Sequence, residues 1–245
     1  MLGGLVRSVL QQEPRCIDQV IVVDDGSSDN SQAEVPIDTR VRRVQHSCNE
    51  GKARALIDGM QIALDIGAQH IVTMDADGQH RPEDIPRLLQ AAERKPRSII
   101  IGARLADRDS IPSARYRANR FANFWIAWAS GYPVNDSQSG FRAYPAEVLR
   151  AVLPRLAAKY PSRAGSRRKG FVFESEILIE SGRLHFGTVA VGVPALYRTA
   201  RASHFRPVAD IAQIVIMVAG HLLRGGLYPR GLWQSLTQRD RESAD

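Results

Sequence analysis

The stretch Ile-Val-Thr-Met-Asp-Ala-Asp-Gly-Gln-His, residues 71–80, decides how the rest of the chain is read. A short apolar run that stops at a carboxylate is the pattern of a buried strand ending at the edge of a sheet. Asp75 and Asp77 are two residues apart, so an extended backbone projects both to one side. Two carboxylates placed there repel by about 4 kcal/mol at about 4 Å and an effective dielectric of about 20. A divalent cation removes that penalty, and Mg2+ is typically held by one or two carboxylates together with substrate phosphates. Gly78 allows the backbone to turn, and Gln79 brings an amide oxygen back toward the same point. Taken alone, the stretch reads equally well as a solvated acidic turn capping the helix after Pro82. Its neighbours decide between the two.

Upstream, Gln-Val-Ile-Val-Val-Asp (19–24) is a continuous apolar strand of the kind buried on both faces of a parallel sheet. It ends in Asp24-Asp25-Gly26-Ser27-Ser28-Asp29. Ligands of open α/β sheets bind at the carboxyl ends of the strands, so Asp24 and Asp25 are read as ligand-facing. Ser27, Ser28 and Asp29 read as turn and N-cap chemistry. Residues 41–45 form a second short strand, followed by Asn49-Glu50-Gly51-Lys52. Leu56, Ile57, Met60, Ala63 and Leu64 then recur at helical spacing, with Gly67 as the C-cap. A Gly-Lys pair at a helix start suits an anion, but the P-loop spacing is absent, which argues against a P-loop ATPase. A strand over 71–75, a helix over 83–93 and a strand over 98–102 follow. The alternation predicts an α/β fold with a largely parallel sheet. Residues 1–12 place Leu2, Leu5, Val6, Val9 and Leu10 on one helical face.

The 245 residues suffice for one large domain with an appendage, and the net charge of +7 favours anionic partners. Cys16 and Cys48 have no metal-ligand spacing and read as two reduced thiols in a cytosolic protein. No signal peptide is visible, and the longest apolar run, 211–223, is too short to span a bilayer. The chain is therefore not expected to be an integral membrane protein. No RRM, KH or zinc-finger pattern points to nucleic acid.

Residues 22–29, 49–52 and 74–80 resemble successive motifs of the family 2 glycosyltransferases. The likeness continues through Gly102-Ala103-Arg104, Asp136-Ser137-Gln138-Ser139-Gly140-Phe141-Arg142 and residues 171–176, covering roughly 1–205. Within that family it is most similar to the dolichyl- and polyprenyl-phosphate branch. The resemblance implies a GT-A fold, a nucleotide-sugar donor, inversion at the sugar and a divalent cation, Mg2+ or Mn2+. It makes Asp75, Asp77 and Gln79 the metal ligands, and Asp24, Asp25, Lys52, Asp75 and Arg142 the donor-binding set. Asp136 is the first choice for the catalytic residue beside the acceptor, with Glu174 or Glu176 second. Arg142 reads as a phosphate ligand or as a structural salt bridge.

Two departures stand out. The family begins with a strand that lines the nucleotide-base pocket, and in the GT-A sheet that strand lies between those of residues 20–24 and 71–75. Here Met1 falls where the first helix starts, so unpaired backbone is expected in the middle of the sheet, from a start placed too late or a truncated copy. Enzymes of this branch also tend to carry Arg and then Gly-x-Ser-Lys. Here Arg198 is followed by Arg201-Ala202-Ser203-His204-Phe205, which puts a His in the Lys position. Arg198, Ser203 and His204 remain candidates for the acceptor or its phosphate.

Residues 115–128 carry arginines on one side and Phe121, Phe124, Trp125 and Trp128 on another: a helix at a bilayer interface, or one packing its aromatics on the core. Residues 163–169, with four basic side chains, read as a lid over a diphosphate, a lipid contact or a solvated linker. Residues 206–245 form a tail whose amphipathic helix, 207–223, docks on a membrane or a partner, or packs on the core. The leading expectation is an inverting, metal-dependent transferase acting on a lipid-linked or lipophilic acceptor, peripheral at the cytoplasmic face of the inner membrane. The alternatives are a non-catalytic nucleotide-sugar-binding or degenerate copy, and a sugar nucleotidyltransferase.

Overall fold

A computed structural model describes residues 2–12, 16–29, 31–104, 113–162, 170–194, 207–224, 228–229 and 231–233. Strands β1 (Val20–Asp24) and β2 (Val41–Gln45) pair in parallel, with Val20 opposite Val41 and Asp24 opposite Gln45. Strands β3 (His70–Thr73), β4 (Ser98–Ala103), β5 (Arg142–Pro145) and β6 (Gly187–Gly192) form a second sheet in the order β3-β5-β4-β6. The expected parallel pairing holds for β1 with β2 and for β4 with β6. Strand β5 runs antiparallel to both its neighbours, so the sheet is mixed. Its four residues are all buried, so Arg-Ala-Tyr-Pro carries no inside–outside alternation by which a sequence reading could place it.

Among the described residues β1 pairs only with β2, and β3 only with β5 along its other edge. The described strands thus fall into two separate sheets. β3 stops at Thr73, so Asp75 and Asp77 lie on the turn beyond the strand and not on extended backbone. Gly78 supplies that turn with a φ of 76°.

Strand β4 shows how the layers are arranged. Ile99 and Ile101 point into the main core with Ile57, Met60, Ile126, Leu149 and Phe173, while Ile100 points to a second core with Leu88, Ala92 and Phe141. A period of two buried on both sides places helices on both faces of the sheet. Helices α2 (Lys52–Asp65), α4 (Ser113–Ser130), α5 (Ala146–Lys159) and α6 (Gly170–Arg183) serve the first core, and α3 (Ile85–Arg94) the second. Helix α1 (Leu2–Leu10) packs Val6 on Val22 of β1 and on Val35.

Helix α7 (Pro207–Arg224) sets Ile214, Val218 and Leu222 into the main core, each such burial contributing about 1.5–3 kcal/mol. Its other side leaves Val215, Ile216 and Leu223 exposed. On α4, Trp125 and Trp128 stack with ring centroids 5.3 Å apart and pack against the main core, whereas Phe121 faces outward. Among the described residues no helix is long and apolar enough to cross a membrane.

Candidate active site

The site is assembled where β1, β3 and β4 end. Asp25, just past β1, accepts hydrogen bonds from the backbone N–H of Glu50 (2.8 Å) and of Gly51 (2.7 Å), and His46 Nδ1 lies 2.9 Å from its Oδ1. Gly51 bends into α2 with a φ of 96°, a region hostile to side chains. Asp25 therefore fixes the entry of α2, through contacts from the 46–51 loop to both its oxygens. Asp24 is buried and accepts a hydrogen bond from the Ser27 N–H at 3.0 Å, so it caps the turn after β1.

With α2 anchored, Lys52 Nζ lies 2.8 Å from Asp75 Oδ1, 3.0 Å from Asp75 Oδ2 and 3.0 Å from Glu174 Oε1. The approach of the two carboxylates depends on Gly140. A Cβ there would meet Asp75 Oδ2 at 2.4 Å and Glu174 Oε1 at 2.9 Å. Thr73 Oγ1 donates to the Gly140 carbonyl at 2.9 Å and ties that glycine to the end of β3. Burial pushes the Glu174 carboxyl up; Lys52 opposes this and Asp75 adds to it, leaving it above the usual range. Burial draws the Lys52 ammonium down, but Glu174 and Asp75 outweigh it and hold it above its ordinary value.

Asp77 Oδ1 accepts the Gln79 N–H at 3.0 Å, closing the turn through its own side chain. Gln79 and His80 are buried, and the His80 ring lies 5.0 Å from that of Phe141. Burial first, then the charge of Arg104, holds His80 below its usual range. Asp75, Asp77 and Gln79 offer two carboxylates and an amide oxygen, a hard donor set that suits Mg2+ or Mn2+.

Arg104, at the end of β4, clamps Asp136: Nε to Oδ2 at 2.8 Å and a terminal nitrogen to Oδ1 at 2.8 Å. Asn119 of α4 adds a bond of 3.2 Å to Oδ1. Burial pushes the Asp136 carboxyl up, but the hydrogen bonds and charge of Arg104, with Asn119, more than offset it and leave it below the usual range. Such a carboxylate is a weak proton acceptor. Arg104, Asn119 and Gly140 had no assigned role in the sequence reading. The position of Arg104 at a strand's carboxyl end was the signal that could have found it.

Two further assignments need correction. Arg142 is fully buried and donates to the backbone carbonyls of Ser139 (2.8 Å), Glu174 (2.6 Å) and Ser137 (2.7 Å). It therefore binds no donor phosphate but staples β5 to α6 and to the loop before it. Glu176 points away from the site. It meets Lys159, accepts from Tyr160 Oη at 2.5 Å and lies 3.1 Å from His221 Nε2. Residues two apart on a helix differ by about 200°, so Glu174 and Glu176 cannot face one site. Glu176, Glu180 and His221 are the one group of possible metal-ligating side chains that their mutual distances single out among the described residues, and Lys159 already counters Glu176 there. Arg198, Ser203, His204 and the basic stretch 163–169 lie outside the described residues.

The sequence profile of glycosyl transferase family 2 matches residues 1–153. The chain belongs to glycosyl transferase family 2. It is a glycosyltransferase of the α/β GT-A type, with its sheets flanked by helices. Among its relatives is a UDP-N-acetylglucosamine–dolichyl-phosphate N-acetylglucosaminyltransferase of Methanococcus voltae, 30% identical over 193 residues, covering 71% of this chain and 74% of the relative. An undecaprenyl-phosphate mannosyltransferase of Micrococcus luteus is 29% identical over 185 residues, covering 73% and 71%. In fold, the chain is similar to glucosyl-3-phosphoglycerate synthase of Mycobacterium tuberculosis, crystallised with Mn2+ and UDP-glucose, at a TM-score of 0.54 and 19% identity over 91% of this chain and 76% of that one. Mannosyl-3-phosphoglycerate synthase of Rubrobacter xylanophilus gives a TM-score of 0.57 at 15% identity, over 92% and 70%.

Proposed function

We propose that this glycosyltransferase moves a sugar from a nucleotide-sugar donor to a polyprenyl phosphate, with inversion and with Mg2+ or Mn2+ at Asp75, Asp77 and Gln79. The observation that carries the reading is the oxygen-rich turn after β3 facing Lys52 on one side and lying near the Arg104–Asp136 clamp on the other. The named acceptors of its relatives, dolichyl phosphate and undecaprenyl phosphate, support the acceptor class. When bound, the cation supplies charge neutralisation to the departing diphosphate. Lys52 and the N–H groups opening α2 attract the same diphosphate. An oxygen of the acceptor phosphate attacks the anomeric carbon as the bond to the diphosphate breaks.

A phosphate acceptor also fits the state of the carboxylates. Its second pKa is about 6, so it arrives as an anion and needs no general base. Asp136 is held in a low-pKa clamp and Glu174 is bonded to Lys52, so neither is poised to deprotonate a hydroxyl. Asp136 serves instead to position Arg104 toward the acceptor. The exposed Val215, Ile216 and Leu223 of α7, with Phe121, Arg117 and Arg120 exposed on the adjoining α4, suit contact with an anionic bilayer holding that acceptor. Transfer of radiolabel from UDP-N-acetylglucosamine or GDP-mannose to undecaprenyl phosphate is the test. Metal-dependent product extractable into organic solvent is expected, and label appearing only on hydroxyl lipids refutes the acceptor assignment.

A further inference from the structure

The Lys52 ammonium touches both oxygens of Asp75 and one of Glu174, at 2.8, 3.0 and 3.0 Å. It therefore competes directly for the Asp75 lone pairs that a metal would use. Building on the donor and metal reading above, we propose that Lys52 is a resident counter-cation that occupies Asp75 until a nucleoside diphosphate arrives, making metal uptake at this site dependent on the donor.

Three features support this. The Lys52 backbone is immobilised by the Asp25 bonds to Glu50 and Gly51, so the ammonium is delivered to Asp75 by the fold and not by chance contact. Its side chain is still 39% exposed, which leaves the flexible stem room to swing. An ammonium has three N–H donors, so Lys52 can keep its bond to the buried Glu174 while exchanging Asp75 for a phosphate oxygen. A divalent ion entering alone must sit beside the ammonium, like charge against like. A bound diphosphate would attract the ammonium as well as the divalent ion, and so would free the Asp75 oxygens to hold that ion. Diphosphate and metal then bind with reciprocal positive coupling.

The test is titration with Mn2+, followed by the EPR signal of the free ion, with and without UDP or GDP. Wild type should take up Mn2+ weakly alone and at least about tenfold more tightly with the matching nucleotide. Lys52→Met, which keeps the stem and removes the charge, should bind Mn2+ alone about tenfold more tightly than wild type and gain less from nucleotide. Should thermal unfolding show that Lys52→Met is destabilised by the stranded Glu174, the Lys52→Met/Glu174→Gln double variant carries the same comparison. Nucleotide-free Mn2+ affinity in these variants no tighter than in wild type overturns the proposal. If that occurs while wild type with nucleotide takes up Mn2+ in an Asp77-dependent manner, only the role of Lys52 falls. If Asp77→Asn leaves every Mn2+ isotherm unchanged, the metal site itself is wrong and this inference goes with it.

Discussion

Glu174 and Glu176 are separated by one residue on α6, yet one meets the Lys52–Asp75 pair and the other meets Lys159, Tyr160 and His221. Both are buried glutamates beside a lysine. The difference lies in what each neighbourhood leaves open. Glu176 is boxed by three partners drawn from α5, α7 and the residue after α5, and burial pushes the Tyr160 hydroxyl up to about 12, so it stays a donor. That network ties three helices together. Glu174 shares its lysine with Asp75, and both Lys52 and Asp75 are partly open to solvent, the arrangement that the proposal above takes to exchange partners. The same residue types thus build a buried strut on one face of a helix and a more open, shared ion pair on the other.

Breaking the strut should have the largest effect on the fold. Glu176→Ala removes the acceptor that the buried His221 and Tyr160 share with the partly exposed Lys159, and each buried polar group left unsatisfied costs about 1–3 kcal/mol. Denaturant unfolding should show that loss, while transfer per folded molecule stays near wild type. Breaking the more open side should do the reverse. Asp77→Asn is expected to lower transfer by about a hundredfold or more with the melting temperature within a few degrees of wild type. Near-normal turnover in a labelled-donor assay would remove Asp77 from the metal set.

Gly140→Ala tests whether the two carboxylates need their close approach. The added Cβ would lie 2.4 Å from Asp75 Oδ2, an overpacking of about 1–3 kcal/mol. We expect it to weaken nucleotide-dependent Mn2+ binding by about tenfold, and unchanged binding would show that the carboxylates tolerate separation.

The smallest effect is a difference of sign with pH. Asp136 is depressed below the ordinary 3.8, so the stability it contributes is present above that value and is lost as pH falls through its lower folded value. Glu174 is raised above 4.5, so its contribution is full below 4.5 and declines as pH rises through its folded value. Melting curves from about pH 3 to about pH 7 should therefore show that Asp136→Asn loses part of the acid-side fall in stability. Glu174→Gln should lose part of the decline on the neutral side. Parallel curves for the two variants would contradict these opposed environments.

Much of this was legible beforehand, and the rest had definite reasons for being hidden. Strands β1 and β4 were visible because each carries an uninterrupted run of Val or Ile, and α2 because its apolar residues recur every three or four positions. Strand β5 was hidden because four fully buried residues carry no period. The Asp-Ala-Asp-Gly-Gln turn could be located from spacing and glycine chemistry, although its acids lie beyond the strand and not on it. Arg142 misled because an arginine beside Ser-Gly-Phe looks like a phosphate ligand, and only the structure shows it fully buried with each of its three nitrogens on a backbone carbonyl.

By itself the sequence determined the alternating α/β pattern, the acidic turn after β3 and the ordered motifs of the family, because each is written in residues close together in the chain. Tertiary structure alone decided who meets whom: Lys52 with Asp75 and Glu174, Arg104 with Asp136, Glu176 with His221. Those partners lie 23 to 122 positions apart for Lys52, 32 for Arg104 and 45 for Glu176. A charge chooses its partner by distance in space, and only the packing of helices on a sheet sets that distance.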